Sequence, residues 1–214
     1  MEYEMRIFNS KLLMLLSIGM IVPIAGAVLA DDAVDPHAGH RKMMMSAMSE
    51  GTKTSTAEYV LPKIKLVRDD GKAVLLADEL NDGRAVVINF IYTSCTQICP
   101  VTSHTFLQLQ GKLGKDRDKV HLISISIDPE QDTPAVLREY AKRFEAGTGW
   151  NFYTGTTEAS IATQRAFEVF RGDKMNHAPV TLLRAAPGKP WVRIDGFASA
   201  DDLLSKYKEI SGSK

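Results

Sequence analysis

The 214 residues of the chain are enough for one well-buried domain with a segment left over at one end. Its 26 basic side chains are matched by 26 acidic ones, so the basic surplus or clustered basic face that a nucleic-acid footprint needs is missing. The only two cysteines, Cys95 and Cys99, are too few for a disulfide scaffold, and their spacing is neither Cys-x-x-Cys nor a paired zinc-ribbon pattern.

Residues 1–30 have the anatomy of an export segment. Arg6 and Lys11 supply positive charge, Leu12 to Ile24 is almost continuously apolar, and Val28-Leu29-Ala30 offers small residues for cleavage before Asp31-Asp32. The stretch serves either as a cleaved signal peptide or as an N-terminal membrane anchor. Its apolar length is close to the minimum for a span, while Pro23 and the nearby glycines make a poor one. In both cases the rest of the chain faces a compartment in which disulfides persist, the periplasm or the outer face of the cytoplasmic membrane.

Residues 31–57 carry few large apolar side chains other than methionine and no periodic pattern, and are expected to form a flexible linker. Within it, His37, His40, Met43, Met44, Met45 and Met48 crowd into one short segment. Thioethers and imidazoles suit Cu(I), and neither is lost to disulfide formation in an oxidising compartment. These six are candidate auxiliary copper ligands on compositional grounds.

A folded domain is expected over residues 58–214. Ile64–Val67, a turn carrying Asp70-Gly71, and Ala73–Leu76 predict an N-terminal β-hairpin. The β-branched run Ala85–Ile91 predicts a buried strand that empties into Tyr92-Thr93-Ser94-Cys95-Thr96-Gln97-Ile98-Cys99-Pro100. Pro100 suits a first helical position and pushes Cys99 out of helical geometry, so a helix is expected from Pro100, with Cys99 just before it. The positive end of that helix would favour a thiolate. Two thiols so placed can close a Cys95–Cys99 disulfide or, when reduced, present two soft ligands to one metal ion.

Val120–Ile127 predicts a strand stopping at Asp128, Asp132-Thr133-Pro134 opens a helix to Gly147 with Asp132 or Thr133 as its N-cap, and Asn151–Thr154 a short strand. Glu158–Phe170 has helical spacing, Val180–Leu183 and Trp191–Ile194 flank a Pro/Gly turn, and Ala200–Ile210 closes the chain as a helix. Alternating strands and helices with hairpins at the edges predict an α/β fold, one central mixed sheet flanked by helices. A strand delivering two cysteines into a helix is the thioredoxin-like arrangement, whose crevice lies at the carboxyl ends of the strands. Cys95 and Asp128 both fall there. Two thiolates leave a metal under-coordinated, and His177, in the loop before a late strand, is the candidate third ligand. In thioredoxin-like folds that loop lies beside the cysteines with a cis-proline, the position expected for Pro179. His104 and His121 are expected to be structural. Asp128 is placed where its carboxylate can support a ligand, although Asp-Pro-Glu is also ordinary turn chemistry.

With these residues in view, the sequence resembles the Sco/SenC family of copper proteins that assemble cytochrome c oxidase, over roughly residues 61–210. The likeness is carried by Phe90-x-Tyr92-Thr93-x-Cys95-x-x-x-Cys99-Pro100, by Ser126-Ile127-Asp128-Pro129-Glu130-x-Asp132-Thr133-Pro134, and by His177 before a late strand. It implies a thioredoxin-like fold, copper bound by Cys95, Cys99 and His177, Asp128 in support, and the copper-receiving oxidase subunit as partner, with other exported copper carriers beside it. Thr96-Gln97-Ile98 stands where members often carry Pro-Asp, and Asn176 where they often carry Asp; neither change removes a ligand. The rival from another class is a thiol-disulfide oxidoreductase acting through Cys95 and Cys99, which would not need His177. A thiol peroxidase would need an Arg near the thiol, and none is close in sequence.

Overall fold

A computed structural model describes residues 51–212. The export segment and the His/Met tract lie outside the described residues, and among those described no helix is long and apolar enough to cross a membrane. The elements in chain order are β1 (Lys53–Ala57), β2 (Lys65–Arg68), β3 (Ala73–Leu75), α1 (Leu76–Leu80), β4 (Ala85–Ile91), α2 (Ile98–Lys112), β5 (Val120–Ser126), α3 (Pro134–Arg143), β6 (Trp150–Thr154), α4 (Thr157–Ala166), β7 (Val180–Arg184), β8 (Trp191–Asp195) and α5 (Ala200–Ser211). The strands form one mixed sheet in the order β1-β8-β7-β4-β5-β6-β2-β3. β4, β5 and β6 are parallel and joined by helical crossovers; every other pairing is antiparallel.

β4 runs through the middle of the sheet and is buried along its whole length, which is why its sequence is a continuous apolar run rather than an alternating one. Its alternate side chains serve two cores. Val87 and Ile91 pack with Phe106 and Leu109 of α2, Leu137 and Tyr140 of α3, and Leu203 and Tyr207 of α5. Val86, Ile88 and Phe90 pack with Leu76 and Leu80 of α1, and with Phe167 and Trp191, on the other side. Shifting β4 by one residue would exchange the two sets, so both cores fix its register and deliver residue 92 to one place.

The expected hairpin is present as β2 and β3, with Leu66 opposite Val74, but α1 follows it directly and takes Leu76 out of the strand. Residues 53–57, expected to belong to the linker, form β1, pairing with β8 from Lys53 opposite Asp195 to Ala57 opposite Trp191. Its sequence, Lys-Thr-Ser-Thr-Ala, is polar because four of its five side chains are exposed; backbone pairing, not burial, holds it. α4 stops at Ala166, four residues short of expectation, since Glu168 takes a positive φ of 57° that a helix cannot continue through. α3 likewise ends at Arg143, with Glu145 at φ 49°.

The loop between β4 and α2 is tied down by a carboxylate that sequence offers, beside Thr133, as a helix cap. Thr133, not Asp132, caps α3 by accepting from the Val136 N–H. Asp132 is instead fully buried: its Oδ1 accepts from the Thr93 hydroxyl at 2.5 Å, both oxygens accept from the Thr93 N–H at 3.2 Å, and Oδ2 accepts from the Ser126 hydroxyl at 2.6 Å. Burial raises its pKa and these bonds offset part of the shift. Removing the carboxylate strands several buried donors at about 1–3 kcal/mol each. Asp132→Ala is therefore expected to cost roughly 3 kcal/mol in denaturant-melt stability; a loss within about 0.5 kcal/mol, the ordinary range for a surface change, would contradict this role.

Candidate metal centre

β4 ends at Ile91 and α2 begins at Ile98, so the six-residue connection from Tyr92 to Gln97 is held at both ends. The helix starts two residues before the expected position: Gln97 is its N-cap residue, Cys99 lies inside the first turn, and Pro100 is its third residue. Proline is tolerated there because the first four N–H groups of a helix have no partner within it. One of those free N–H groups and one from the loop face the thiols. The Cys99 N–H points to Cys95 Sγ at 3.4 Å, and the Tyr92 N–H to Cys99 Sγ at 3.5 Å. Of the two states that the sequence allows, disulfide or free thiols, the structure has the pair as free thiols.

The two sulfurs are unequal. Cys95 is 7% exposed and Cys99 fully buried. The Cys99 thiol donates to Cys95, and with the N–H groups of Cys99 and Gln97 and the Tyr92 hydroxyl it outweighs burial, bringing the Cys95 pKa down to about 5. The same interaction, together with burial and the negative charge on Cys95, raises Cys99 well above the usual thiol range. The first proton thus leaves Cys95, and Cys99 keeps the one it shares. Tyr92 stays a phenol, its pKa raised by burial and by the charge on Cys95.

Cys95 opens onto a cleft of about 190 Å³ lined by Tyr92, Ser94, Thr96, Gln97, Lys174 and Met175. Met175 arrives on a one-turn 3-10 segment, Lys174–Asn176, capped by the Asp173 carboxylate. A second cavity of about 350 Å³ lies next to it, lined among others by Asp128, Lys174 and His177. Lys174 borders both. Its ammonium donates to Asp128 Oδ2 at 2.6 Å and sits 5.7 Å from the centre of the Tyr92 ring.

The structure places the expected third ligand beside the thiols' strand and not on the thiols. His177 is 4% exposed, and its Nε2 lies 3.1 Å from the carbonyl of Phe90, the penultimate residue of β4. A carbonyl only accepts, so Nε2 carries the proton. Burial lowers the ring's pKa to about 4, leaving a neutral imidazole whose Nδ1 holds a lone pair. Among the described residues, no three His, Cys, Asp or Glu side chains converge on a common point. Asp128, expected to support a ligand directly, spends its carboxylate on Lys174, so it acts on the loop that carries Met175 and His177. The expected cis-proline is absent: all described peptide bonds are trans, and the chain runs extended from His177 into β7, with the Pro179 carbonyl accepting from the Gly196 N–H. His104 is exposed on α2, and His121 is buried with its ring nitrogens facing Asn151, the Glu79 carbonyl and Asp82, both away from the thiols.

Four residues around the thiols were not singled out by sequence: Asp132, Tyr92, Lys174 and Met175. Tyr92 stood inside the quoted motifs without a role and Asp132 only as one of two candidate helix caps; Lys174 and Met175 carried no local signal beyond their closeness to His177.

Fold and site together define a class: a mixed-sheet α/β protein with a reduced Cys pair at a strand-to-helix turn on the carboxyl edge of the sheet. The SCO1/SenC family profile matches residues 52–211, about three quarters of the chain, and the protein belongs to that family. It is 29% identical over 167 residues to a SCO1 protein homolog of Bacillus subtilis, covering 73% of this chain and 85% of that one. The solved structure of BsSco, described as a Sco-family cytochrome c oxidase assembly protein with a disulfide switch, superposes with a TM-score of 0.61 at 28% identity, covering 75% of this chain and 98% of that one. ScoI of Arabidopsis thaliana, solved with copper bound, gives a TM-score of 0.61 at 25% identity over 72% of this chain and 99% of that one. The thioredoxin-like fold is thereby established.

The asymmetry of the pair has a direct readout. Alkylation of Cys95 by iodoacetamide, followed by mass spectrometry in the Cys99→Ala and wild-type chains, is expected to be at its plateau at pH 7 in the wild type and to fall only as pH drops through about 5. In Cys99→Ala, where no side-chain donor replaces the thiol, the midpoint moves up. A wild-type midpoint in the ordinary thiol range, about 8.5, would contradict the assignment.

Proposed function

We propose that this protein is an exported copper chaperone that binds one copper ion through Cys95, Cys99 and His177 and passes it to the copper-receiving subunit of cytochrome c oxidase or to another exported copper carrier. The observation that carries this reading is the geometry of the Cys pair at the amino end of α2, with the Cys99 N–H on Cys95 Sγ and the Tyr92 N–H on Cys99 Sγ; these surroundings bring the Cys95 pKa down to about 5. Its copper-bound relative ScoI and the oxidase assembly protein BsSco support the choice of metal and recipient.

Copper is the cargo, and thiolates are its preferred ligands in the Cu(I) state. Cys95 meets it first, being the more exposed and already charged. Cys99 then gives up its proton to solvent, a loss that makes capture weaker at low pH. His177 joins through Nδ1, the ring nitrogen whose lone pair is free while Nε2–H is bonded to the Phe90 carbonyl in the resting fold. This requires the Lys174–His177 segment to move toward the thiols, and the Lys174–Asp128 bond is the contact that sets its resting position. A site with so few ligands, open through the Cys95 cleft, permits exchange with an acceptor's sulfurs.

The topology also bears on the His/Met tract. Lys53 pairs with Asp195, Asp195 with Val180, and Thr181 with Asn89, so β1 begins on the edge of the sheet where β4 ends. Gly51 packs against Gly196, whose φ of +99° and lack of a Cβ allow its contact with the Gly51 carbonyl. From β1 to β4 is three strand spacings, ~14 Å. His40 lies eleven residues before Gly51, an extended reach of ~36 Å. The tract His37–Met48 is thus long enough to load the thiols, and we assign it that auxiliary role.

The second reading, thiol-disulfide oxidoreductase, is favoured by the same asymmetry: the Cys95 thiolate would attack a target disulfide, and Cys99 would resolve the mixed disulfide, oxidising the pair as the target gains two thiols. Copper loading separates the two. The full chain, reduced and loaded with a Cu(I)–acetonitrile complex, is expected to retain one tightly held copper. This copper is lost in Cys95→Ser/Cys99→Ser, weakened in His177→Ala, and kept when the six tract ligands are replaced by Ala or Leu. A chain that keeps no copper after tract replacement, yet reduces a disulfide substrate through Cys95 and Cys99, would overturn the chaperone reading.

A further inference from the structure

The cleft that exposes Cys95 contains a third sulfur. Met175 is the only methionine after Met48 in the sequence, and it is one of four large apolar side chains left exposed among the described residues, at 39%. A methionine serving only as packing would be buried or replaceable by leucine. This one is held by its sulfur: the Tyr92 hydroxyl donates to Met175 Sδ at 3.7 Å. The same hydroxyl also faces the Cys95 sulfur, and with one proton to give it serves the two sulfurs as alternative acceptors. One phenol therefore brings a thioether and a thiolate to the walls of a single cleft, with Cys99 directly behind Cys95.

The imidazole, by contrast, is withheld. His177 is buried, bonded to Phe90, and borders the neighbouring cavity. Copper entering by way of Cys95 meets Met175 before it can meet His177. A thioether is neutral, needs no deprotonation, survives an oxidising compartment and ranks among the soft ligands that select Cu(I).

We propose that Met175 is a Cu(I) ligand, forming with Cys95 and Cys99 a three-sulfur entry site while His177 remains bonded to the Phe90 carbonyl. This rests on the copper reading of the cysteine pair and adds a ligand to it. Three sulfurs favour Cu(I) over Cu(II), and the later arrival of the His177 imidazole is the step that adapts the site to the oxidised ion. Tyr92 is the positioning residue, setting the thioether against the cleft before metal arrives.

The test uses the full chain grown with selenomethionine, with Met43, Met44, Met45 and Met48 changed to Leu and His37 and His40 to Ala so that the tract is silent. It is loaded with one equivalent of Cu(I)–acetonitrile complex and examined by X-ray absorption at the copper edge. The expected spectrum has a copper–selenium vector beside the copper–sulfur shell. In Met175→Leu the selenium vector disappears, the sulfur shell stays, and Cu(I) affinity falls by at least about tenfold, since even outer-shell changes cost that much. A copper–sulfur shell with no selenium vector in the parent, or a selenium vector that persists in Met175→Leu, overturns the assignment while leaving the cysteine site standing. Copper held with no cysteine sulfur at all overturns the reading beneath it and the Met175 proposal together.

Discussion

The burial of the Asp132 carboxylate is the constraint from which the rest of the site follows. A charge with no solvent contact is costly unless its oxygens are fully hydrogen-bonded, and here they are bonded to groups on two separate segments, Thr93 in the cysteine loop and Ser126 at the end of β5. The loop therefore cannot drift from the sheet without leaving that carboxylate unpaired. The same turn closes on itself through the Asp132 N–H and the Asp128 carbonyl, which keeps the Asp128 side chain facing Lys174. One buried acid thus fixes both the thiols and the salt bridge that sets the His177 loop.

With the loop fixed, the chemistry of the pair is a matter of position. Cys99 lies within the first turn of α2 with its sulfur under the Tyr92 N–H, and Cys95 lies one turn earlier at the cleft. Burial falls unequally on two otherwise identical groups, and their mutual hydrogen bond turns that inequality into one thiolate and one thiol. Such a pair suits a metal that must be taken up and released, and it equally suits disulfide exchange. What tilts the balance toward metal is the surrounding donor set: the thioether of Met175 across the cleft and the neutral imidazole of His177, with its tautomer already set by Phe90.

Much of this was legible in the sequence, for identifiable reasons. β4 and β5 are largely apolar because they are buried along their whole length, and the Cys segment follows β4 without a break, so the place of the thiols could be read from the chain. Capping signals marked α3 and the hairpin turn at Gly71. β1 was hidden because an exposed edge strand held by backbone bonds has no hydrophobic pattern. The early start of α2 was hidden because proline is as acceptable at the third helical position as at the first. Asp132 looked like a helix cap since Asp-Thr-Pro offers two capping residues, and only the tertiary structure decides which is turned inward. The distance between His177 and the thiols in the resting fold, and the role of Met175, depend on how a short loop packs over β4, which no local pattern encodes.

The most direct test of the chaperone assignment follows the metal itself. Protein carrying one Cu(I) would be mixed with the soluble copper-binding domain of an oxidase subunit, its cysteines reduced, and copper and thiols counted on each protein after separation. Transfer of copper to the acceptor, with Cys95 and Cys99 recovered as free thiols, is the predicted result. An acceptor that gains no copper, while its oxidised form is reduced by the protein at the expense of a new Cys95–Cys99 disulfide, would contradict it.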